Sequence, residues 1–190
     1  MERLLFALIL TVGSMGLASD QICDFRFSKK HQSFEVLEGD GVVRRTYDYD
    51  SALEFRNRLI RSGVCKAKTT LESCEITRHG RDYYRVLRGD NIEQTLESRE
   101  FAQFLYNRMI SDGLCTQGSV PLYSVPCQRQ GNTILIGDPA KWYVGKKRYY
   151  GDDGEFHAQR ALEHFLDIKI CSEVHGQAQS HQSISNGVSQ

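Results

Sequence analysis

The chain has 190 residues, 24 Lys plus Arg against 24 Asp plus Glu, 40% hydrophobic and 25% charged side chains. These are the proportions of a globular protein, and they exclude a disordered polyelectrolyte, a collagen-like fibre and a polytopic membrane protein. A net charge of zero argues against coating nucleic acid by bulk electrostatics, which leaves six cysteines in a short chain as the unusual feature.

Met1-Glu2-Arg3 precedes an apolar run from Leu4 to Val12, and small residues follow to Ala18. Gly16 and Ala18 occupy the −3 and −1 places of a small-residue cleavage site. Residues 1–18 therefore read as a signal peptide cut after Ala18. The apolar run is shorter than the ~20 residues a helix needs to span a bilayer. Cys23 lacks the small-residue setting of a lipoprotein site. The expectation is an exported chain, periplasmic or extracellular, with no membrane span after cleavage.

Export gives an even cysteine count the meaning of a disulfide framework. Cys23, Cys65, Cys74, Cys115, Cys127 and Cys171 are separated by 42, 9, 41, 12 and 44 residues. Near-equal long gaps split by short ones suggest a threefold repeat. Val36-Leu37-Glu38-Gly39-Asp40 matches Val86-Leu87-Arg88-Gly89-Asp90 at an offset of 50, with Ile134-Leu135-Ile136-Gly137-Asp138 as a third copy. The run from Asn57 to Cys65 matches that from Asn107 to Cys115 at the same offset. Its third copy, Glu163 to Cys171, keeps the apolar positions but loses the Asn, Arg and Gly. The expected layout is repeat 1 over 19–69, repeat 2 over 70–120, repeat 3 over 121–174 and a disordered, Gln- and Ser-rich tail over 175–190.

Within repeat 1, Cys23–Phe27 and Phe34–Leu37 alternate about the polar break Lys29–Gln32, a hairpin pattern. The Gly-Asp step makes a second turn, and a third strand is expected near Val42 to Tyr47. A helix follows from Asp50-Ser51, both suitable N-caps, to about Ser62. Repeat 2 predicts strands near 75–78, 83–87 and 91–96. Ala52, Ala102 and Ala158 align in the three helices and suit a close approach of helix to sheet. Gly63 and Gly113 end the first two helices. The fold class is α+β: three tandem repeats, each a small antiparallel sheet of two or three strands followed by one helix.

Strands and helix alternate in direction, so the helix ends at the edge where the first strand began. That favours Cys23–Cys65, Cys74–Cys115 and Cys127–Cys171. A rival set also respects the repeat: Cys65–Cys74, Cys115–Cys127 and Cys23–Cys171. No C-x-x-C pair is present, and neither a metal site nor a cofactor is expected.

Repeat 3 departs from the others after Gly137-Asp138, where Trp142, Tyr143, Tyr149 and Tyr150 interleave with Lys141, Lys146, Lys147 and Arg148. Aromatic faces beside cations suit sugar rings, anionic polymers or a partner protein. Trp142, Tyr143, Lys146, Lys147, Arg148 and Tyr149 are the candidate ligand-binding residues. The competing reading is a ribbon whose aromatics pack on the sheet while the cations face water. The acidic pairs Asp48/Asp50 and Asp152/Asp153 lie just before helices and complement their dipoles. His157 and His164 sit seven apart, too far for a helical metal pair. Arg58 and Arg108 have acids four residues away, Glu54 and Asp112.

No nucleophile elbow, P-loop or H-E-x-x-H motif is present. Repeats build extended binding surfaces more often than single clefts. The sequence therefore favours a binding or interaction role over catalysis, with an unknown protein or polysaccharide as partner. A small secreted hydrolase acting on cell-wall or glycan material and an inhibitor of a secreted enzyme are the alternatives.

Overall fold

A computed structural model of the chain describes residues 20–138 and 144–174. The expected signal peptide, the expected tail, Trp142 and Tyr143 lie outside the described residues.

The chain makes one supersecondary unit three times. The first comprises β1 (Ile22–Ser28), β2 (Ser33–Glu38), β3 (Gly41–Thr46), α1 (Tyr49–Arg61) and β4 (Lys66–Ala67). The second comprises β5 (Ser73–His79), β6 (Tyr83–Arg88), β7 (Asn91–Leu96), α2 (Arg99–Ser111) and β8 (Thr116–Gln117). The third comprises β9 (Val125–Gln130), β10 (Thr133–Ile136), β11 (Gly145–Arg148), α3 (Gly154–Asp167) and β12 (Cys171–Glu173). Three strands run antiparallel, the helix crosses back, and the short last strand pairs parallel beside the first. The sheet orders are β3-β2-β1-β4, β7-β6-β5-β8 and β11-β10-β9-β12. The fold is α+β with three repeat-like units, as the cysteine spacing implied, and each sheet has four strands rather than two or three.

Local details repeat with the frame. The Gly-Asp turns put Gly39, Gly89 and Gly137 at φ of 57°, 55° and 114°, a region that disfavours side chains bearing Cβ. Their amides donate to Ile22, Ser73 and Pro126 on the first strand of each unit, at 2.8, 2.9 and 2.7 Å. Both β2–β3 and β6–β7 carry a bulge, after Val36 and Val86. Ala52, Ala102 and Ala158 have no exposed surface, so each helix sits close on its sheet at the aligned alanine.

The start of α1 differs from the sequence reading. Asp48 is the cap, its carboxylate accepting from the Ser51 backbone N at 2.9 Å, which moves Asp50 and Ser51 into the first turn. Tyr49 thereby becomes helical and packs on Phe25 and Phe34, at 5.4 and 5.7 Å between ring centroids. Ser98 caps α2 in the same way, accepting from Phe101 N at 3.2 Å.

All three helices end in one hydrogen-bonded motif. The Gly63 and Val64 amides donate to Ile60 and Leu59, those of Gly113 and Leu114 to Ile110 and Met109, and those of Lys169 and Ile170 to Leu166 and Phe165. Repeat 3 places a lysine at the left-handed position, with φ of 59°. A residue with a Cβ pays about 1–2 kcal/mol there, against the about 0.5–1 kcal/mol of backbone entropy that glycine costs. Lys169 is exposed, so Lys169→Gly is expected to raise the melting temperature by about 2–6 °C, read from thermal unfolding by circular dichroism. A melting temperature at or below wild type would mean the lysine side chain makes contacts that outweigh its backbone cost.

A disulfide closes each unit: Cys23–Cys65, Cys74–Cys115 and Cys127–Cys171, with Cα atoms 5.5, 5.6 and 5.5 Å apart. Each joins the first strand to the segment that leaves the helix. Among the described residues, those up to 70 form one compact unit and those from 71 onward form a second.

In the first unit, α1 covers one face of its sheet over Phe25, Phe34 and Val36. In the second, α2 serves two sheets, packing on β5, β6 and β7 and also on β9 and β10. Residues 102 to 109 are accordingly buried without a break, unlike the single stripe of a surface helix. Phe104 enters the core of repeat 3 beside Ile134, Ile136, Leu162 and Phe165. Gly145 leaves the room that the Phe101 ring occupies.

Candidate functional site

The basic and aromatic residues of repeat 3 fall on β11 and just after it. β11 pairs with β10, setting Lys146, Lys147 and Arg148 opposite Leu135, Ile134 and Thr133. Strand alternation then separates the cations. Lys146 and Arg148 share one side and are exposed, while Lys147 is half-buried. The Lys147 ammonium lies 5.3 Å from the centroid of the Tyr149 ring, within cation–π range. Tyr149 is half-buried against the core of repeat 3. Tyr150 is 80% exposed. The structure thus brings Lys147 and Tyr149 together and turns Lys146 and Arg148 to solvent.

Other singled-out residues take plain structural places. Arg58 bonds Glu54 at 3.2 Å and Arg108 lies 3.4 Å from Asp112, the helical pairs expected from spacing. Asp48 caps α1. Asp152 and Asp153 lie just before α3, and His157 and His164 are exposed on it. On the face of the first sheet away from α1, Glu35 accepts from Arg26 at 3.3 Å and Arg45 at 2.9 Å. The Arg45 hydrogen bond, the largest influence, holds the Glu35 carboxyl below the usual carboxylate range, against an opposing push from burial.

Two clefts open in the second compact unit. One, of about 330 Å³, lies between the end of α2 and repeat 3; Ile110, Leu122, Tyr123 and Ile168 are among its walls. The other, of about 310 Å³, lies at the mouth between the repeat 2 sheet and the start of α2, lined by Ile76, Arg78, Tyr84, Arg99, Gln103 and Val120. Among the described residues, neither wall contains a carboxylate.

The second cleft was not visible from the sequence as a motif, and its origin lies in comparing units. Phe27 pairs with Phe34 in β1–β2, and Arg78 pairs with Tyr84 at the same place in β5–β6. Phe25 and Ile76 each lie two residues after the first cysteine, and Tyr49 and Arg99 each open their helix. Repeat 1 fills this mouth with four packed rings: Phe25–Phe34 at 6.0 Å, Phe27–Phe34 at 5.3 Å, and Tyr49 against both Phe25 and Phe34. Repeat 2 keeps the backbone frame and replaces three of the four rings by Ile76, Arg78 and Arg99.

Above the cleft, the connection into repeat 3 is pinned to α2. Gln103 Nε2 donates to Pro121 O at 3.1 Å, Tyr106 Oη to Val120 O at 2.7 Å, and Asn107 Nδ2 to Tyr123 O at 2.8 Å. Burial pushes the Tyr106 hydroxyl above its ordinary pKa, which keeps it a donor. The cleft wall at Val120 is therefore held by side chains that are themselves fixed. Comparison with protein-family models, with curated proteins and with solved structures returned no match to this chain.

Proposed function

We propose that the chain is an exported, disulfide-stapled binding protein whose repeated frame presents different recognition surfaces, directed at a protein or a polysaccharide. Three disulfides in a small chain fit an oxidising compartment, periplasmic or extracellular. No helix among the described residues is long and apolar enough to cross a membrane. The observation that carries the binding role is the divergence of side chains on a common register. The mouth of repeat 1 holds Phe25, Phe27, Phe34 and Tyr49, and that of repeat 2 holds Ile76, Arg78, Tyr84 and Arg99. Repeated units supply surface at fixed spacing while each copy varies its contacts. The same reading assigns ligand binding by residue type to Trp142, Tyr143, Lys146, Lys147, Arg148 and Tyr149. Walls without a carboxylate favour binding over hydrolysis at both clefts.

The test is a polysaccharide array and a panel of secreted proteins probed with wild type and with the Lys146→Glu, Arg148→Glu double variant. Both positions are exposed, so the variant is expected to fold. Retention of one ligand class by wild type, weakened at least about tenfold in the variant, supports the reading. Release of new reducing ends from a retained glycan would replace it with the hydrolase reading.

A further inference from the structure

Taking the binding-protein reading as its ground, we infer that the repeat 2 cleft binds a small organic anion. Its carboxylate or phosphate oxygens are held by Arg78 and Arg99, and its apolar body rests on Ile76 and Val120. Arg78 and Arg99 both line one cleft of about 310 Å³, at the small end of the volumes that ligands occupy. Among the described residues neither arginine enters an ion pair. Arg78 donates only to the Arg81 carbonyl, at 3.0 Å, which neutralises nothing. Arginines that are neutralised include Arg26 and Arg45 by Glu35, Arg58 by Glu54, Arg88 by Glu93 and Arg108 by Asp112, whereas Arg44, Arg61, Arg81, Arg148 and Arg160, like the two of the cleft, enter no ion pair among the described residues. Two permanent positive charges facing one cavity repel, and an anion between them removes that repulsion.

The surroundings add to the same preference. Arg99 is the first residue of α2, so the cleft lies at the positive end of a thirteen-residue helix. Tyr84 also lines the cleft, and its side chain carries a neutral hydroxyl donor. Gln103 cannot swing to compete, since its amide nitrogen is committed to Asn107 Oδ1 at 2.8 Å and to Pro121 O. A planar guanidinium fork matches carboxylate and phosphate geometry, which sets the class of headgroup. Ile76 and Val120 set the rest, because an inorganic ion would leave them in contact with water alone.

The experiment titrates the oxidised protein with phenyl phosphate, benzoate, inorganic phosphate and neutral benzyl alcohol, following arginine Nε–H and backbone amide resonances. Phenyl phosphate or benzoate is expected to shift the Arg78 and Arg99 side chains together with the Val120 amide; the stronger of the two identifies the headgroup. Arg78→Gln or Arg99→Gln is expected to weaken binding at least about tenfold, the loss of one charge-assisted contact. Arg160→Gln, at an exposed site on α3, is expected to leave it unchanged. Both cleft arginines are exposed, so the variants keep the fold, which an unchanged melting temperature verifies. Equal binding of benzyl alcohol, or shifts that survive the double arginine variant, would overturn the inference. A chain that retains a polymer through repeat 3 but shows no shift at Arg78 and Arg99 overturns this site alone. One that binds phenyl phosphate here and retains no protein or polysaccharide supports the site and refutes only the broader reading.

Discussion

Replacing Cys23 and Cys65 together by Ser is expected to unfold residues 20–70 and to leave the 71–174 unit folded. Closing a loop across a 42-residue separation stabilises by about 4 kcal/mol in the chain-entropy treatment, and loss of a native disulfide from a small secreted domain costs about 2–5 kcal/mol. The first unit has little to set against that loss. Among the described residues, its buried apolar side chains are Cys23, Phe25, Phe34, Val36, Ala52 and Cys65, and two of those six are the disulfide itself. A domain of about 50 residues is already marginal on surface-to-volume grounds. The 71–174 unit keeps a core shared between two repeats, with Phe104, Tyr106, Ile134, Ile136 and Phe165 all buried. Hydrogen exchange read by mass spectrometry checks the result peptide by peptide. Fast exchange over β1–β3 with retained protection over β5–β10 is the expected pattern. Protection kept throughout, or lost throughout in a single transition, would contradict it. The same double replacement at Cys127 and Cys171 is expected to loosen repeat 3 while β5–β7 stay protected.

The dependence on a staple explains which parts of the fold could be read from sequence. Cysteine positions and the Gly-Asp turn are tied to backbone needs, a bridge and a positive φ, so they recur at fixed offsets and betray the repeat. Ala52, Ala102 and Ala158 recur for an equally plain reason, close helix–sheet approach. β4 and β8 left no such mark. Each has two residues, too few to show a period, and exists because the disulfide delivers the chain beside the first strand. By residue type Asp50-Ser51 makes a good cap, but Asp48 takes that position, which lets Tyr49 join Phe25 and Phe34. The repeat 2 cleft was hidden for the opposite reason. Aligning repeats rewards what they share, whereas Arg78 and Arg99 matter because they differ from Phe27 and Tyr49. Comparing aligned positions for changes of chemistry, rather than for identity, would have exposed both. Residue type offers Tyr149 both as a ligand residue and as a ring packed on the sheet; its ring packs against the core of repeat 3, with the Lys147 ammonium 5.3 Å from its centroid.

Phe104→Ala is expected to destabilise the 71–174 unit by about 3–5 kcal/mol, measured by urea unfolding, with repeat 3 amides losing the most protection. Phe104 is 4% exposed, and its ring meets Phe165 edge-on, centroids 5.1 Å apart and planes at 79°. Such a pair adds to the burial of area itself. The Arg108 guanidinium lies 4.9 Å from the centroid of the same Phe165 ring, so truncation at 104 strips one of two groups from α2 that hold it. Repeat 1 supplies the control at the same helical position. Glu54 stands where Phe104 stands in repeat 2, exposed and paired only with Arg58 on its own helix. An exposed pair of this kind contributes less than about 1 kcal/mol, and Glu54→Ala is expected to cost no more. The contrast isolates why α2 differs from α1. The frame is common to both helices, but only α2 carries Phe101 and Phe104, the side chains that enter a second sheet's core. A Phe104→Leu variant keeps most of the apolar volume while losing the edge-on ring contact. It is expected to fall between the other two, at about 1–1.5 kcal/mol. If Phe104→Ala instead unfolded β5–β7 and repeat 3 with identical midpoints and exchange rates, the two repeats would be one indivisible core. If it cost no more than Glu54→Ala, α2 would not be the element that joins them.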